Sequence, residues 1–175
     1  MKRILCALTL SVFGALLAPA QVTKATVAGV SNFAQVETTV ACAGATTPEA
    51  LAGIKKMGYA SVINLRLPTE QNANLDAEAA AAKAANINYV HIPFDGSKPD
   101  AAVADRFMQV ITTPGNQPAF IHCASGNRAA ALWMIKRALV DKWDTDRAAE
   151  EATQLGLTSS ALKTFALDYI QSHRK

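Results

Sequence analysis

A single turn around residue 123 carries the residue types from which a nucleophilic site can be built. Residues 119–130 read AFIHCASGNRAA. The apolar segment predicts a strand that delivers His122 and Cys123 to its carboxyl end. Gly126 then predicts a tight turn, and a helix is expected to begin near Asn127.

The backbone amides of this turn are expected to converge above the sulfur of Cys123. The helix N-terminus adds partial positive charge there, and Arg128 supplies a planar fork suited to an oxyanion. Each of these features favours the thiolate over the neutral thiol, so the sequence predicts a nucleophile beside an anion site. For His122 two interpretations stay open: it tunes the thiolate through a backbone hydrogen bond, or it merely faces the sheet. The loop residues whose amides would bind substrate are Ala124, Ser125, Gly126 and Asn127.

The elements that must position this turn alternate between strand and helix. Such alternation predicts an α/β domain with a parallel sheet, whose strands all end on the edge where ligands usually bind. Residues 21–34 show no clear period and are expected to form a leader segment. Strands are predicted at 35–40, 60–65, 87–92 and 119–122, and helices at 47–58, 76–85, 100–111, 127–140, 146–155 and 159–172.

Residues 1–20 have the pattern of a secretory signal peptide. Lys2 and Arg3 precede an uncharged apolar run at 4–17 and an Ala-Pro-Ala site. The run is shorter than the roughly 20 residues that a membrane-spanning helix needs. The sequence therefore predicts an exported domain at 21–175, most simply periplasmic, with no membrane attachment after cleavage.

The net charge excludes a basic nucleic-acid interface. Removing residues 1–20 takes away Lys2 and Arg3 and no acidic residue, so the net charge falls from +3 to about +1. The three histidines, His91, His122 and His173, have no metal-ligand spacing with acids or cysteines. No nucleotide-binding glycine motif is present either, so the sequence predicts neither a metal nor another cofactor.

The segment HCASGNR at 122–128 resembles the phosphate-binding loop of the cysteine-dependent protein tyrosine and dual-specificity phosphatases. More closely, the chain resembles the bacterial phosphatase-like domain that is also found attached to beta-lactamase hydrolase-like proteins. This resemblance covers roughly residues 35–170. It implies a single domain with a central, mostly parallel four- or five-stranded sheet flanked by helices. Further stretches that carry it are TPEAL at 47–51, VINLR at 62–66, YVHIP at 89–93 and LGLT at 155–158.

The resemblance implies a phosphatase acting on phosphate monoesters, either a phosphorylated protein or a small anionic substrate. Cys123 would attack phosphorus and Arg128 would hold the oxygens. A carboxylic acid must protonate the leaving group, and Asp95, after a neighbouring strand, is the first candidate. Asp100 is the second candidate, although it also suits the N-cap of a helix, and Asp95 also suits an Asp-Gly turn.

Two departures from the phosphatase pattern keep other functions open. The phosphatase loop has one residue more between Cys and Arg than the four found here, and it places Ser or Thr where this chain has Ala129. The shorter spacing resembles the rhodanese-type sulfurtransferase loop, which holds a Cys persulfide. A sulfurtransferase is therefore the alternative function, and an anion-binding module without catalysis is a third.

Two further residues on the same edge have open roles. Arg66 either adds positive potential for an anion or pairs with Glu70 or Asp76. Cys42 either resolves an oxidised Cys123 through a disulfide or is a buried spectator.

Overall fold

The computed structural model describes residues 21–174, so the predicted signal segment lies outside the described residues. Strands and helices alternate from the third strand onward, which confirms the α/β fold class. Among residues 21–174, no helix is both long enough and apolar enough to cross a membrane. The strands are Val22–Lys24 (β1), Ala34–Val36 (β2), Val40–Ala43 (β3), Ser61–Asn64 (β4), Asn88–His91 (β5) and Ala119–His122 (β6).

These strands form one mixed sheet in the order β1-β2-β3-β6-β4-β5. The four neighbouring strands β3, β6, β4 and β5 are parallel to one another, and β6 lies between β3 and β4. Because parallel strands end at the same sheet edge, the segments after β3, β4, β5 and β6 meet around Cys123.

The sheet has six strands, and not the four or five that the resemblance implied, because β1 and β2 extend it as antiparallel strands. The leader prediction at 21–34 is wrong at β1, which pairs with β2 as an edge strand. The single strand predicted at 35–40 is also wrong, because the chain turns back between β2 and β3. Glu37 occupies the left-handed region at φ 47° in this turn, which is unusual for a residue with a side chain.

The helices begin and end close to the predicted positions. Asp100 caps its helix as expected, with its carboxylate accepting a hydrogen bond from the Ala102 N–H at 3.0 Å. The segment after Thr47 begins with a 3-10 turn at Pro48–Ala50. The helices are Leu51–Lys56 (α1), Leu75–Ala84 (α2), Ala101–Thr112 (α3), Asn127–Leu139 (α4), Thr145–Gln154 (α5) and Ser160–His173 (α6).

Helix α4 follows the turn after β6 and holds it rigidly in place. Its side chains from Arg128 to Ala138 are all buried, and Trp133 is completely enclosed. The helix lies between α5 and α6 and also contacts α3, β3 and β6. A helix enclosed on this many sides cannot tilt without disturbing a close-packed core, so its N-terminus stays fixed relative to the sheet.

Candidate active site

The turn between β6 and α4 wraps around the sulfur of Cys123. Cys123 is fully buried directly after β6, and the Gly126 N–H donates a hydrogen bond to its Sγ at 3.1 Å. Gly126 is the N-cap residue of α4 and adopts φ 99°, a left-handed conformation that favours glycine. The sulfur therefore receives a backbone donor at a helix N-terminus, which stabilises negative charge.

The loop peptides have their carbonyls held outward. The Ala45 N–H donates to the Ala124 carbonyl at 3.0 Å, and the Asn32 Nδ2 donates to the Ser125 carbonyl at 3.2 Å. In a planar trans peptide the N–H points opposite to the carbonyl, so the N–H groups of Ser125 and Gly126 face inward. The Gly126 N–H does contact the sulfur, and the Ser125 N–H is aimed to the same side. These are two of the N–H groups that the sequence analysis expects to bind substrate, and we call this set of loop amides the cradle.

Arg128 is anchored on one side and available on the other. Its Nη1 donates to the carbonyls of Phe94 at 2.7 Å and Leu65 at 3.1 Å, and its two terminal nitrogens pair with Glu70. A guanidinium has five N–H donors. Among the hydrogen bonds within residues 21–174, none uses its Nε, so the Nε edge is free for an oxyanion. Burial opposes the charge, but Glu70 and the neighbouring Cys123 sulfur raise the pKa of Arg128 overall.

Glu70 is the acidic partner that orients Arg128. Its two oxygens accept from Arg128 Nη1 at 2.6 Å and Nη2 at 3.0 Å, which is a two-point contact. Burial alone would raise the pKa of Glu70, but bonds from Arg128, the Leu67 N–H and Arg66 outweigh it and lower the pKa to about 2. Glu70 is therefore a carboxylate at any ordinary pH. This contact gives the guanidinium a fixed plane beside Cys123.

Asn127 anchors the other flank of the turn to the loop between α5 and α6. Its Oδ1 accepts from the N–H groups of Thr158 at 2.7 Å and Ser159 at 2.8 Å. Its Nδ2 donates to the Ser125 hydroxyl at 3.3 Å. This flank is therefore held by the hydrogen bonds of a neutral side chain, whereas the Arg128 side is held by ion pairs.

A cleft of about 760 Å³ adjoins this second flank. Its volume lies in the usual range for ligand sites. Among the residues that the structure describes, Lys24 is the only charged one that lines it, and the remaining polar groups are hydroxyls and amides. The polar lining residues are Lys24, Thr26, Asn32, Ser125, Asn127 and Thr158.

Asp95 lies beside the site in an exposed turn. Its Oδ1 accepts from the hydroxyl of Ser97 at 2.7 Å and from the Ser97 N–H at 2.9 Å. These bonds, with a smaller contribution from the charge of Arg128, lower the pKa of Asp95. The next residue, Gly96, lies against the Arg128 side chain, where an added Cβ would meet Cδ at 3.4 Å. The turn therefore packs on the aliphatic part of the Arg128 side chain, whereas Asp100 is occupied at the start of α3.

His122 faces away from the sulfur. Its ring stacks on Phe120, which packs in the cluster on the opposite side of the sheet from Cys123. Its Nε2 lies 2.6 Å from Glu78 Oε1. The ring is thus placed as the sheet-facing interpretation expects, and any effect on the thiolate must pass through the backbone.

Cys42 and Cys123 are both free thiols in the same buried cluster. Burial, and then the neighbouring Cys123, raises the pKa of Cys42 well above its usual value. A neutral thiol is a poor nucleophile, so Cys42 is not expected to act as one at ordinary pH.

Sequence reasoning did not identify two of the groups that hold the turn. Glu70 was expected only as a partner of Arg66, yet it also pairs with Arg128, 58 residues away. Asn32 lies in the segment interpreted as a leader, and it is 93 residues from Ser125. The only sequence signal for either group was that Glu70 follows Arg66 at the same edge of the predicted sheet.

Comparison with known proteins places the chain among phosphatase-like domains. Residues 32–140 match the family described as "Beta-lactamase hydrolase-like protein, phosphatase-like domain". A Beta-lactamase hydrolase-like protein of Xylella fastidiosa (strain Temecula1 / ATCC 700964) is 31% identical over 110 residues. That match covers 61% of this chain and 25% of the relative, so the chain spans about a quarter of that relative's length.

Three solved structures share the fold. A DUF442 protein from Shewanella putrefaciens CN-32 has TM-score 0.70 and 19% identity, covering 83% of this chain and 90% of that one. The core catalytic domain of the PP-IP phosphatase SIW14 from S. cerevisiae has TM-score 0.65 and 17% identity, covering 82% and 88%. P. aeruginosa TpbA has TM-score 0.65 and 18% identity, covering 89% and 91%.

The structural matches establish a cysteine-phosphatase-like fold, and the family match spans more than half of the chain, including the whole turn from Cys123 to Arg128. The chain belongs to the phosphatase-like domain family of the beta-lactamase hydrolase-like proteins.

Proposed function

We propose that this chain is an exported cysteine-dependent hydrolase of phosphate monoesters. The observation that carries the proposal is the joint placement at the sulfur of Cys123. The Gly126 N–H contacts the sulfur, and the Arg128 guanidinium lies near it. Such donors can hold the nonbridging oxygens of a phosphoryl group during transfer.

The reaction has two steps. The thiolate of Cys123 attacks phosphorus, the S–P bond forms, and the bond to the leaving oxygen breaks. That oxygen takes a proton from Asp95. Water then attacks phosphorus and gives a proton to the Asp95 carboxylate, the S–P bond breaks, and inorganic phosphate leaves while the thiolate and the acid are regenerated.

The test is hydrolysis of 4-nitrophenyl phosphate by the reduced chain from residue 21. Cys123→Ser is expected to reduce the rate to background, and Cys42→Ser, when folded, is expected to retain activity. Equal rates in Cys123→Ser and the parent would overturn the proposal, as would the absence of activity in both.

The role of Asp95 is tested by two matched variants. Asp95→Asn is expected to slow hydrolysis by about 10²-fold. Asp100→Asn retains a good helix cap and is expected to leave the rate unchanged. The opposite pattern would transfer the acid role to Asp100.

A sulfurtransferase is the second candidate, and the four-residue spacing between Cys123 and Arg128 is the observation that favours it. In that reaction the thiolate takes the outer sulfur of thiosulfate, sulfite leaves, and the persulfide sulfur passes to cyanide or a thiol. No general acid is needed, so Asp95→Asn is expected to leave this activity intact. Thiocyanate formation from thiosulfate and cyanide, lost in Cys123→Ser, would establish it.

The substrate is a phosphorylated protein or a small anionic molecule. P. aeruginosa TpbA has been crystallised with pTyr, and the SIW14 domain with citrate. Both ligands are anions, as expected for this cradle. Export is part of the proposal through the pattern at residues 1–20, and N-terminal sequencing of the secreted chain tests it.

A further inference from the structure

A buried polar chain runs beneath the catalytic turn, on the sheet face opposite to the sulfur. It starts at Glu78 of α2, which is 1% exposed. Its Oε1 lies 2.6 Å from His122 Nε2, and its Oε2 accepts from Asn64 Nδ2 at 2.8 Å. Asn64 and His122 are register partners at the ends of β4 and β6, so one carboxylate ties the two strands together.

The chain continues from Asn64 into the backbone of Arg66. The Asn64 Oδ1 accepts from the Arg66 N–H at 2.8 Å. The Arg66 carbonyl lies 2.8 Å from the Nε2 of His91 on β5. The N–H group and the carbonyl group of Arg66 are therefore both held by side chains from the sheet.

The side chain of Arg66 then clamps the following loop. Its Nε donates to Glu70 Oε2 at 3.1 Å, and its terminal nitrogens donate to the carbonyls of Gln71 at 2.6 Å and Asn72 at 2.9 Å. The Leu67 N–H donates to the other oxygen of Glu70 at 2.8 Å. A planar fork with three bonds leaves the loop little freedom, and Glu70 projects from it toward Arg128.

We propose that Glu78 and Arg66 are positioning residues that fix the Arg128 guanidinium relative to Cys123. With Asn64 and Glu70 they form what we call the brace. The brace contacts His122, the residue before Cys123, at one end and Arg128 at the other. It therefore connects the two ends of the turn by a route other than the turn's own backbone.

The cost of the brace argues for this role. Glu78, Arg66 and Arg128 are each at most 8% exposed, and burying such charges is expensive even when they are paired. Apolar side chains of similar volume would stabilise the fold as well or better. What the charged groups add is a defined geometry, and a displacement of about 1 Å at a reacting group can cost about 10²-fold in rate.

The test measures the position of the guanidinium without requiring turnover. Iodoacetate and iodoacetamide both alkylate Cys123, but only iodoacetate is negatively charged and drawn by Arg128. The ratio of their rates, with the modified residue identified by mass spectrometry, reports positive charge beside the sulfur. The inference rests on the proposed function only for the identity of the site, so this ratio stays informative if no phosphate ester is hydrolysed.

Two variants break the brace at separate points. Glu78→Gln replaces one carboxylate oxygen with an NH₂ group, which either meets the NH₂ donor of Asn64 or requires His122 Nε2 to accept. Arg66→Lys replaces the three-bond fork with a single ammonium group. Each is expected to lower the iodoacetate-to-iodoacetamide ratio about fivefold, which corresponds to the guanidinium moving a few ångströms away from the sulfur.

The control is Ser61→Ala, which removes a buried hydroxyl that donates to the Asn116 carbonyl at 2.6 Å, at the end of β4 farthest from the turn. It is expected to destabilise the fold and leave the ratio unchanged. The double variant of Glu78 and Arg66 should match the larger single effect, because the two residues act in series.

A ratio equal to that of the parent in both brace variants, with a lowered melting temperature, would overturn the proposal and make the network merely structural. If Glu78→Gln does not fold, Arg66→Lys carries the test alone. Additive effects in the double variant would also contradict a single brace.

Discussion

The two flanks of the catalytic turn are held by different chemistry. On one flank, which we call the guanidinium flank, Arg128, Glu70 and Arg66 interact through charged groups that are mostly buried. On the other, the amide flank, Asn127 and Asn32 hold the loop through neutral hydrogen bonds near the surface. The same turn, residues 122–128, is thus fixed by ion pairs on one flank and by amides on the other.

This difference separates two tasks that one loop must perform. Charge-assisted bonds away from water are strong and tolerate little displacement, which would suit the proposed role of Arg128 in holding phosphoryl oxygens. Because the hydrogen bonds beside the cleft are neutral, the electrostatic potential there is set by the substrate and by Lys24. We therefore expect variants on the guanidinium flank to damage catalysis itself, and variants on the amide flank to alter affinity and selectivity.

The largest effect is expected from Arg128→Lys. An ammonium group retains the charge, but it cannot contact Glu70 at two points and also present a second edge to an anion. The kcat/KM for 4-nitrophenyl phosphate should fall by about 10²–10³-fold, measured under steady-state conditions. Arg106→Lys, an exposed change on α3, is the matched control and should have no effect. A loss below tenfold would show that charge alone is sufficient and would remove the basis of the comparison.

On the amide flank, Asn127 separates anchoring from charge. Asn127→Ala leaves the N–H groups of Thr158 and Ser159 without their acceptor, so the free energy of unfolding should fall by about 1–2 kcal/mol. Asn127→Asp keeps the acceptor and should cost less than about 0.5 kcal/mol, but it adds negative charge beside the cradle and should weaken phosphate inhibition about tenfold. Urea unfolding and the Ki of inorganic phosphate measure the two effects. Equal affinity loss in both variants would mean that the flank acts through geometry and not through potential.

The turn that contains Asp95 and Ser97 predicts how a variant of Ser97 shifts the pH dependence of kcat. The Ser97 hydroxyl stabilises the carboxylate form and so lowers the pKa of Asp95. The general acid acts only while protonated, and its protonated fraction falls as pH rises through its pKa. Ser97→Ala removes this donor and raises the pKa of Asp95, so the alkaline limb of the kcat–pH profile should move to higher pH.

Ser160→Ala, at the exposed start of α6, is the control for this shift. A limb that stays in place in Ser97→Ala, while Asp95→Asn still loses activity, would assign the limb to another group in the enzyme–substrate complex.

The sequence could predict what local patterns encode. Asp100 marks the start of α3, and the apolar run before Cys123 marks β6, because caps and short buried strands depend on neighbouring residues. The turn itself was recognisable since its cysteine, glycine and arginine lie within six residues. Family resemblance then extended this local pattern to the fold.

What the sequence could not predict depends on distant partners or unusual backbone. Nothing in Glu70 distinguishes a partner of Arg66, four residues before it, from a partner of Arg128, which requires the finished sheet. The reversal at Glu37 uses a left-handed residue that is neither glycine nor asparagine. Glu78 lies in an alanine-rich helix whose weak apolar pattern does not show which face is buried.

The smallest effect is expected at the cleft beside the amide flank. Lys24 is exposed and, among the described residues, is the only charged one lining that cleft. We expect this cleft to hold the part of a substrate that lies beyond its phosphate group. Lys24→Glu should then raise the KM for an acidic phosphotyrosine peptide about fivefold at low salt. This is the effect of reversing one charge at about 8 Å in water. Lys56→Glu, on α1 and outside the cleft lining, is the control.

The same variant should leave the KM for 4-nitrophenyl phosphate unchanged, because that substrate has no negative charge beyond its phosphate. The difference between the two substrates should also disappear near 1 M salt, where charges several ångströms apart are screened. An equal rise for both substrates would place Lys24 in the potential of the cradle itself. The amide flank would then share the electrostatic role of the guanidinium flank, and the division between them would not hold.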